Sequence, residues 1–207
     1  MDNLIVEKLI EYGQYAWQKD LTPGISGNIS ARCDNGVIIT SSGVSNGFLT
    51  ISSFSLVDYD GNLLEGNERP SSERFLHLEF YKKRPDINAV FHLHCPYLTA
   101  FATTDVDFNI EASPEMIYCF GKIPKAQYAL PGSQELVNKT GLYFEKSDVV
   151  LMKNHGVITG AKDIQHAFLN IELCESYAKM LIDSKILGST KFLQKDEVEK
   201  VYVLNNN

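Results

Sequence analysis

His92 and His94 stand one residue apart at the end of the run Ile87-Asn88-Ala89-Val90-Phe91-His92-Leu93-His94. The run reads as a β-strand, and side chains alternate between the two faces of a strand. The two imidazoles therefore share one face, and Phe91 and Leu93 share the other. An apolar face can pack into a core while two neutral nitrogens project into a cleft and hold one metal ion. The competing reading is a half-buried strand with two polar residues on its open side. His155 is a third candidate. It follows the apolar run Val149–Met152 and lies between Asn154 and Gly156, where the chain turns. Strand ends often carry active-site groups, but plain turn chemistry beside a glycine explains this histidine equally well. Glu73, in Pro70-Ser71-Ser72-Glu73, either complements the dipole of the helix it opens or, beside a metal, moves a proton. His77 and His166 fall within helical patterns and read as structural.

The elements that would position these groups follow from periodicity and turn signals. Leu4 to Lys19 carries Ile5, Leu9, Tyr12 and Ala16 on one stripe and reads as a helix; Leu21-Thr22-Pro23-Gly24 breaks it. Asn28 to Arg32 and Val37 to Thr40 read as strands joined through Asn35-Gly36, a strong hairpin signal. Ser55 to Tyr59 and Asn62 to Leu64 read as a second hairpin across Asp60-Gly61. A helix opens at Ser71 or Ser72 and runs to about Lys83, where Pro85 stops it. The strand with His92 and His94 follows, then a helix from Tyr97 to Thr103. Short strand-like pieces are expected between Ile117 and Tyr128. Ser133 is a good N-cap for a helix from Gln134 to Phe144. Val149 to Met152 and Val157 to Thr159 flank the turn with His155. Asp163 starts a long helix to about Leu187. The tail from about residue 190 is expected to be mobile, ending frayed at Asn205-Asn206-Asn207.

Length and composition limit the classes available. The chain has 207 residues, enough for one domain with a substantial core. Its hydrophobic and charged fractions, 44% and 22%, suit a soluble globular protein. No apolar run approaches the ~20 residues of a membrane helix, and the N-terminus shows no secretory pattern. The four cysteines, Cys33, Cys95, Cys119 and Cys174, lack metal or redox spacing and read as reduced thiols of a cytoplasmic protein. A net charge of −7 without a basic cluster argues against nucleic acid. An anionic substrate would need a local site acting against the overall field.

Taken in order, Gly27-Asn28, Ser42-Gly43, Pro70-Ser71-Ser72-Glu73, His92-Leu93-His94 and Asn154-His155-Gly156 resemble the class II aldolase and adducin head-domain family, with its L-fuculose-phosphate aldolase branch the nearest match. The resemblance runs from about residue 4 to residue 187. It implies a single α/β domain with a central, mainly antiparallel sheet flanked by helices. It also implies a homotetramer with active sites between subunits. His92, His94 and His155 would ligate a divalent metal, usually Zn2+, with Mn2+, Co2+ or Fe2+ as alternatives. Glu73 would be the catalytic carboxylate. Gly27, Asn28, Ser42, Gly43, Ser71 and Ser72 would hold the phosphate of a small sugar substrate. These loops contain no Lys or Arg, so they would act through N–H groups, hydroxyls and a helix N-terminus; each loop alone is ordinary turn chemistry.

The implied reaction is cleavage of a ketose 1-phosphate into dihydroxyacetone phosphate and a small aldehyde through a metal-stabilised enediolate. Three imidazoles leave an open coordination position, as a catalytic site needs. A metal there would polarise a ketone and its neighbouring hydroxyl. Decarboxylation, 4-epimerisation or dehydration of a related sugar phosphate would use the same parts. A non-catalytic module like the adducin head lacks the histidines that this chain keeps. A cupin-type oxygenase would carry a glutamate just after the second histidine, where Cys95-Pro96-Tyr97-Leu98-Thr99 has none. Two departures from the family pattern stand out. Ser113 occupies the place of the expected tyrosine proton donor, and Tyr202 is the only tyrosine in a short tail.

Overall fold

The protein is described here from a computed structural model covering residues 1–205. Helix α1 (Asn3–Gln18) starts where the Asp2 carboxylate accepts from the amides of Leu4 and Ile5. It buries Val6, Leu9, Gly13 and Ala16 at three- and four-residue spacing, the stripe expected of a helix lying on a sheet. Strands β1 (Asn28–Cys33) and β2 (Gly36–Thr40) form the predicted hairpin. Strands β3 (Phe54–Val57) and β4 (Leu63–Gly66) continue the meander. Then follow α2 (Arg74–Lys83), β5 (Ala89–Leu93), α3 (Pro96–Ala102), α4 (Pro114–Phe120), β6 (Lys125–Ala126) and α5 (Gln134–Gly141). Strands β7 (Val149–Met152) and β8 (Gly156–Ala161) pair as a hairpin, followed by α6 (Ile164–Ile186) and α7 (Lys195–Asn205).

The strands form one eight-stranded sheet in the order β4-β3-β2-β1-β5-β8-β7-β6. Every neighbouring pair is antiparallel except β6 with β7. The architecture is therefore α/β with a central, mainly antiparallel sheet, as the resemblance implied. Helices cover both faces of its centre, so every strand but the exposed edge β4 and the short β6 is largely buried on both sides. Ala89, Phe91 and Leu93 of β5 point into one core with Ile29 and Ala31 of β1 and residues of α1, α3 and α6. Val90 points into the other, with Leu76, Phe80 and Tyr81 of α2 and Leu136 of α5. Alternation along β5 places His92 on the α2 side with Val90. The same alternation places Asn28 and Ser30 of β1 on that side.

Four expectations shift. The segment from Ile117 to Tyr128 is not a set of strand-like pieces: helix α4 occupies its start, and only Lys125–Ala126 pair in the sheet. The β-formers Ile117, Tyr118 and Phe120 favour strand. The Ser113 hydroxyl accepting from the Met116 amide, with Pro114 in the first helical turn, nucleates a helix instead. Helix α2 opens at Arg74 rather than at Ser71 or Ser72, because Ser71 turns the chain first, its carbonyl accepting from the Arg74 amide. His94 falls just past the end of β5. The tail carries α7, whose Val198 is buried in the core and whose Tyr202 hydroxyl donates to the Gly121 carbonyl at 2.7 Å. Of the frayed end expected there, Asn206 and Asn207 lie outside the described residues.

Phe91 lies fully buried against the α1 and α6 layer, on the opposite side of β5 from His92. Phe91→Ala is expected to destabilise the fold by about 3–5 kcal/mol, the cost of a large buried aromatic. Urea unfolding followed by circular dichroism measures it; a change below about 1 kcal/mol would show that this layer is not the core.

Candidate metal centre

Two separate segments bring the three histidines together. His92 is the fourth residue of β5, and His94 follows the strand's end. His155 lies in the tight turn between β7 and β8, where Asn154 takes a positive φ of 57°. Asparagine tolerates that conformation better than most residues. β8 pairs with β5, setting His92 opposite Ile158 and Leu93 opposite Val157. That register carries the β7–β8 turn to the His94 end of β5. Gly156 permits the approach: a Cβ there would lie 2.6 Å from the Leu93 carbonyl oxygen and 2.9 Å from His94 Cδ2. Gly27 does the same from the other side, since its Cβ would meet the His92 carbonyl oxygen at 2.7 Å.

The three rings stand mutually edge to face, with centroids 4.7 to 5.1 Å apart. Their potential ligand atoms lie within 4.8 Å of one another, and His92 Nε2 and His94 Nε2 are 3.1 Å apart. Two nitrogens bound to one tetrahedral zinc lie about 3.4 Å apart, so the set needs only small side-chain adjustments to close on an ion. The Val157 carbonyl accepts from His92 Nδ1 at 2.9 Å. That bond orients the ring and aims Nε2 at the common centre, as an outer partner of a ligating histidine should.

Glu73 enters from α2. It occupies the N-cap position but makes no capping bond; its carboxylate turns toward the histidines instead. Oε2 lies 3.2 Å from His92 Nε2, and Oε1 lies 3.4 Å from His155 Nε2. Asn28 Nδ2 donates to Oε2 at 3.0 Å. Oε1 is buried and has no hydrogen-bond partner. Buried polar atoms are ordinarily satisfied. Three convergent imidazoles beside an unsatisfied carboxylate oxygen fit a divalent cation held by His92, His94 and His155.

The electrostatics agree. Burial pushes the Glu73 carboxyl up, but the charge and hydrogen bond of His92, with His155 and Asn28, hold it well below the usual carboxylate range. Burial lowers His92, but Glu73 outweighs it and leaves the imidazole above its ordinary 6.5. Burial, then the neighbouring His92, lowers His94 and His155 to about 4. Without a bound cation, Glu73 and His92 thus favour each other's charged forms.

The small-residue loops divide. Ser42-Gly43 and Ser71-Ser72 are brought side by side, through the Ser41–Pro70 bridge and the Ser42 amide donating to the Arg69 carbonyl at 2.8 Å. The Ser42 hydroxyl donates to the Pro70 carbonyl at 3.2 Å. The Ser71 hydroxyl accepts from the Glu73 amide at 3.2 Å, so Ser71 positions Glu73 as well. Gly27-Asn28 lies against His92 and Glu73. Ser113 caps α4 through its hydroxyl oxygen. His166 is half exposed and bonded to Asp163, in keeping with a structural role. Cys95 and Cys174 are buried, and all four cysteines are free thiols. His77 is a core histidine, in keeping with a structural reading: it is fully buried on α2, with Nε2 hydrogen-bonded to Asn28 Oδ1 at 2.6 Å. Asn28, Ser30, His77 and Tyr81 form one polar group behind Glu73. The only sequence signal was polar residues at alternate positions of β1 and at i, i+4 of α2.

The class II aldolase and adducin N-terminal domain profile matches residues 7–182. The L-fuculose phosphate aldolase of Methanococcus maripaludis is 34% identical over 173 residues, covering 84% of this chain and 93% of that protein. The 3-oxo-tetronate 4-phosphate decarboxylase of Haemophilus influenzae is 35% identical over 179 residues, covering 84% of this chain and 85% of that protein. A solved L-fuculose 1-phosphate aldolase superposes with a TM-score of 0.90 at 31% identity, covering 100% of this chain and 98% of that one.

Metal uptake should therefore be coupled to protons. About one divalent ion per chain is expected. Its entry must displace the proton of His92, whose pKa is raised above 6.5. At about pH 6, binding should release about one proton per ion, and affinity should fall about tenfold per pH unit of acidification. Well above the raised pKa the release should vanish. Below about 4, where His94 and His155 also take up protons, the fall should steepen. Calorimetric titration in buffers of different ionisation enthalpy measures this; proton-independent uptake at pH 6 would place the ion elsewhere.

Proposed function

The chain belongs to the class II aldolase and adducin N-terminal domain family, and from that membership we propose that it is a divalent-metal-dependent aldolase cleaving a ketose 1-phosphate into dihydroxyacetone phosphate and a small aldehyde. The observation that carries the reading is the carboxylate of Glu73, buried beside three convergent imidazoles with Oε1 unpartnered. His92, His94 and His155 are the proposed ligands. Zn2+ suits three imidazoles with an open position, and Mn2+, Co2+ or Fe2+ could replace it. The bound metal would supply Lewis acidity, polarising the substrate's carbonyl and neighbouring hydroxyl.

The remaining work falls to the chain. Glu73 takes the C–H proton beside the carbonyl in the synthetic direction and returns it to carbon in cleavage. The substrate phosphate is assigned to Gly27, Asn28, Ser42, Gly43, Ser71 and Ser72. The adjacency of the Ser42-Gly43 and Ser71-Ser72 loops supports this, since it gathers small residues from two segments, the exposed Ser72 among them, on one side of Glu73. A homotetramer with active sites between subunits belongs to the same proposal and rests on family membership alone. Four free thiols support a reducing, cytoplasmic setting. No helix is long and apolar enough to cross a membrane among the described residues.

A second reading, decarboxylation of a 3-oxo sugar-acid phosphate, draws on the similarity to the decarboxylase of Haemophilus influenzae. It would use the same ligands and the same electron acceptor. Mass spectrometry of products from ketose 1-phosphates and from 3-oxo acid phosphates separates the two: aldehyde plus dihydroxyacetone phosphate supports the aldolase, and carbon dioxide plus a ketone phosphate, with no aldehyde from any ketose 1-phosphate, overturns it.

Glu73→Gln is expected to keep its metal and lower kcat for cleavage by about 10²–10⁴-fold; parental turnover would remove Glu73 from the chemistry. Ser72→Asp, at an exposed position, puts a negative charge where a phosphate would dock. Its KM for phosphorylated substrate should rise at least about tenfold, while metal content stays unchanged. An unaltered KM would make these loops turns only.

A further inference from the structure

The polar group behind Glu73 has a single consistent arrangement of hydrogens. An ionised Glu73 turns the Asn28 carboxamide so that Nδ2 donates to Oε2. Asn28 Oδ1 then faces His77 Nε2 at 2.6 Å, and that nitrogen must carry the proton. His77 Nδ1 is left as an acceptor, 2.7 Å from the Ser30 hydroxyl, which donates to it. Tyr81 in turn donates to the Ser30 oxygen at 2.8 Å. All four residues are buried, His77 and Ser30 completely. Reversing His77 would set its Nε2 lone pair against Asn28 Oδ1. Reversing Asn28 would set Oδ1 against the Glu73 carboxylate. Either leaves two buried acceptors facing each other, a cost of about 1–3 kcal/mol or more.

We propose that His77 is a positioning residue: through Asn28 it locks Oε2 of Glu73 as the held oxygen and leaves Oε1 as the atom that accepts the substrate proton. The inference rests on the reading of Glu73 as the base. In the step it describes, the substrate C–H bond breaks, an O–H bond forms at Oε1, and the electron pair stays on the substrate as the enediolate. When the proton returns, Oε1 gives it back and Glu73 is again a carboxylate. Oε1 suits this because it is buried and accepts no hydrogen bond, whereas the lone pair of Oε2 facing Asn28 is taken. His77 does not touch the substrate. It keeps the carboxamide from rotating and thereby keeps the carboxylate from turning.

The test is exchange of the dihydroxyacetone phosphate C–H proton with deuterated water, followed by NMR on metal-loaded protein, with no aldehyde present. His77→Leu removes the donor to Asn28. Exchange should slow by about 10–100-fold, the usual cost of losing an outer-sphere partner, with metal content unchanged and KM for dihydroxyacetone phosphate within about twofold of the parent. His77→Gln keeps a donor at the tip of a side chain of similar reach, and should recover most of the rate. Ser30→Ala releases His77 Nδ1 and should give a smaller loss. These three together separate hydrogen bonding from packing. Exchange by His77→Leu within about twofold of the parent overturns the proposal, and so does a glutamine variant as slow as the leucine variant. If His77→Leu fails to fold, the other two decide: fast exchange by His77→Gln with slower exchange by Ser30→Ala supports the positioning role, and any other pattern overturns it. Glu73→Gln is the control. Parental exchange by that variant defeats the base assignment itself, whereas a silent Glu73→Gln beside an undisturbed His77→Leu defeats the positioning role alone.

Discussion

The imidazoles of His92, His94 and His155 and the carboxylate of Glu73 point their acceptor atoms into one small buried volume. His92 Nε2 lies 3.1 Å from His94 Nε2 and 3.2 Å from Glu73 Oε2. Lone pairs at that spacing repel unless something positive lies among them, and burial denies them water. A proton on His92 answers the demand in part. A divalent cation would answer it in full, because it could engage all three nitrogens at once and leave a position for substrate. Much of the local structure is explained as the means of enforcing this convergence. Gly27 and Gly156 let strands approach where a Cβ would collide. Val157 aims His92, and Asn28 holds the carboxylate in place.

The sheet makes the convergence affordable. Its two faces are covered by separate apolar cores, and the polar cluster is set into the core under α2. On that side Asn28, Ser30, His77 and Tyr81 satisfy one another, so the burial of Glu73 does not strand a row of unpaired groups. On the other side Phe91 and Leu93 pack against α1, α3 and α6 and keep β5 from shifting. A one-residue slip of β5 would exchange His92 for Phe91 or Leu93 and destroy the site. The antiparallel pairing to β1 and β8 prevents that slip on both sides.

Features with local periodicity were legible in the sequence. The alternation around His92, the Asn35-Gly36 turn, the stripe of α1 and the Val149–Met152 strand all reappear. Features that depend on distant partners were not. Glu73 and Asn28 are 45 residues apart, and His77 and Asn28 are 49 apart; no local pattern joins them, so His77 read as an ordinary core histidine. Helix α4 was hidden because its residues favour strand, while its cap, Ser113, drew attention as an aligned catalytic position instead. The start of α2 at Arg74, past Ser71 and Ser72, depends on a turn closed by the Arg74 amide donating to the Ser71 carbonyl. The chain spends them on a preceding turn, and that turn swings Glu73 inward.

Cobalt(II) substitution tests the shared centre most directly, because the visible spectrum of the ion reports the number and kind of its ligands. One cobalt per chain is expected, with the intense bands of a four- or five-coordinate, histidine-rich site. His155→Ala should weaken or abolish those bands, and dihydroxyacetone phosphate should shift them by entering the open position. A weak, six-coordinate spectrum that ignores both the mutation and the ligand would place the ion away from these histidines.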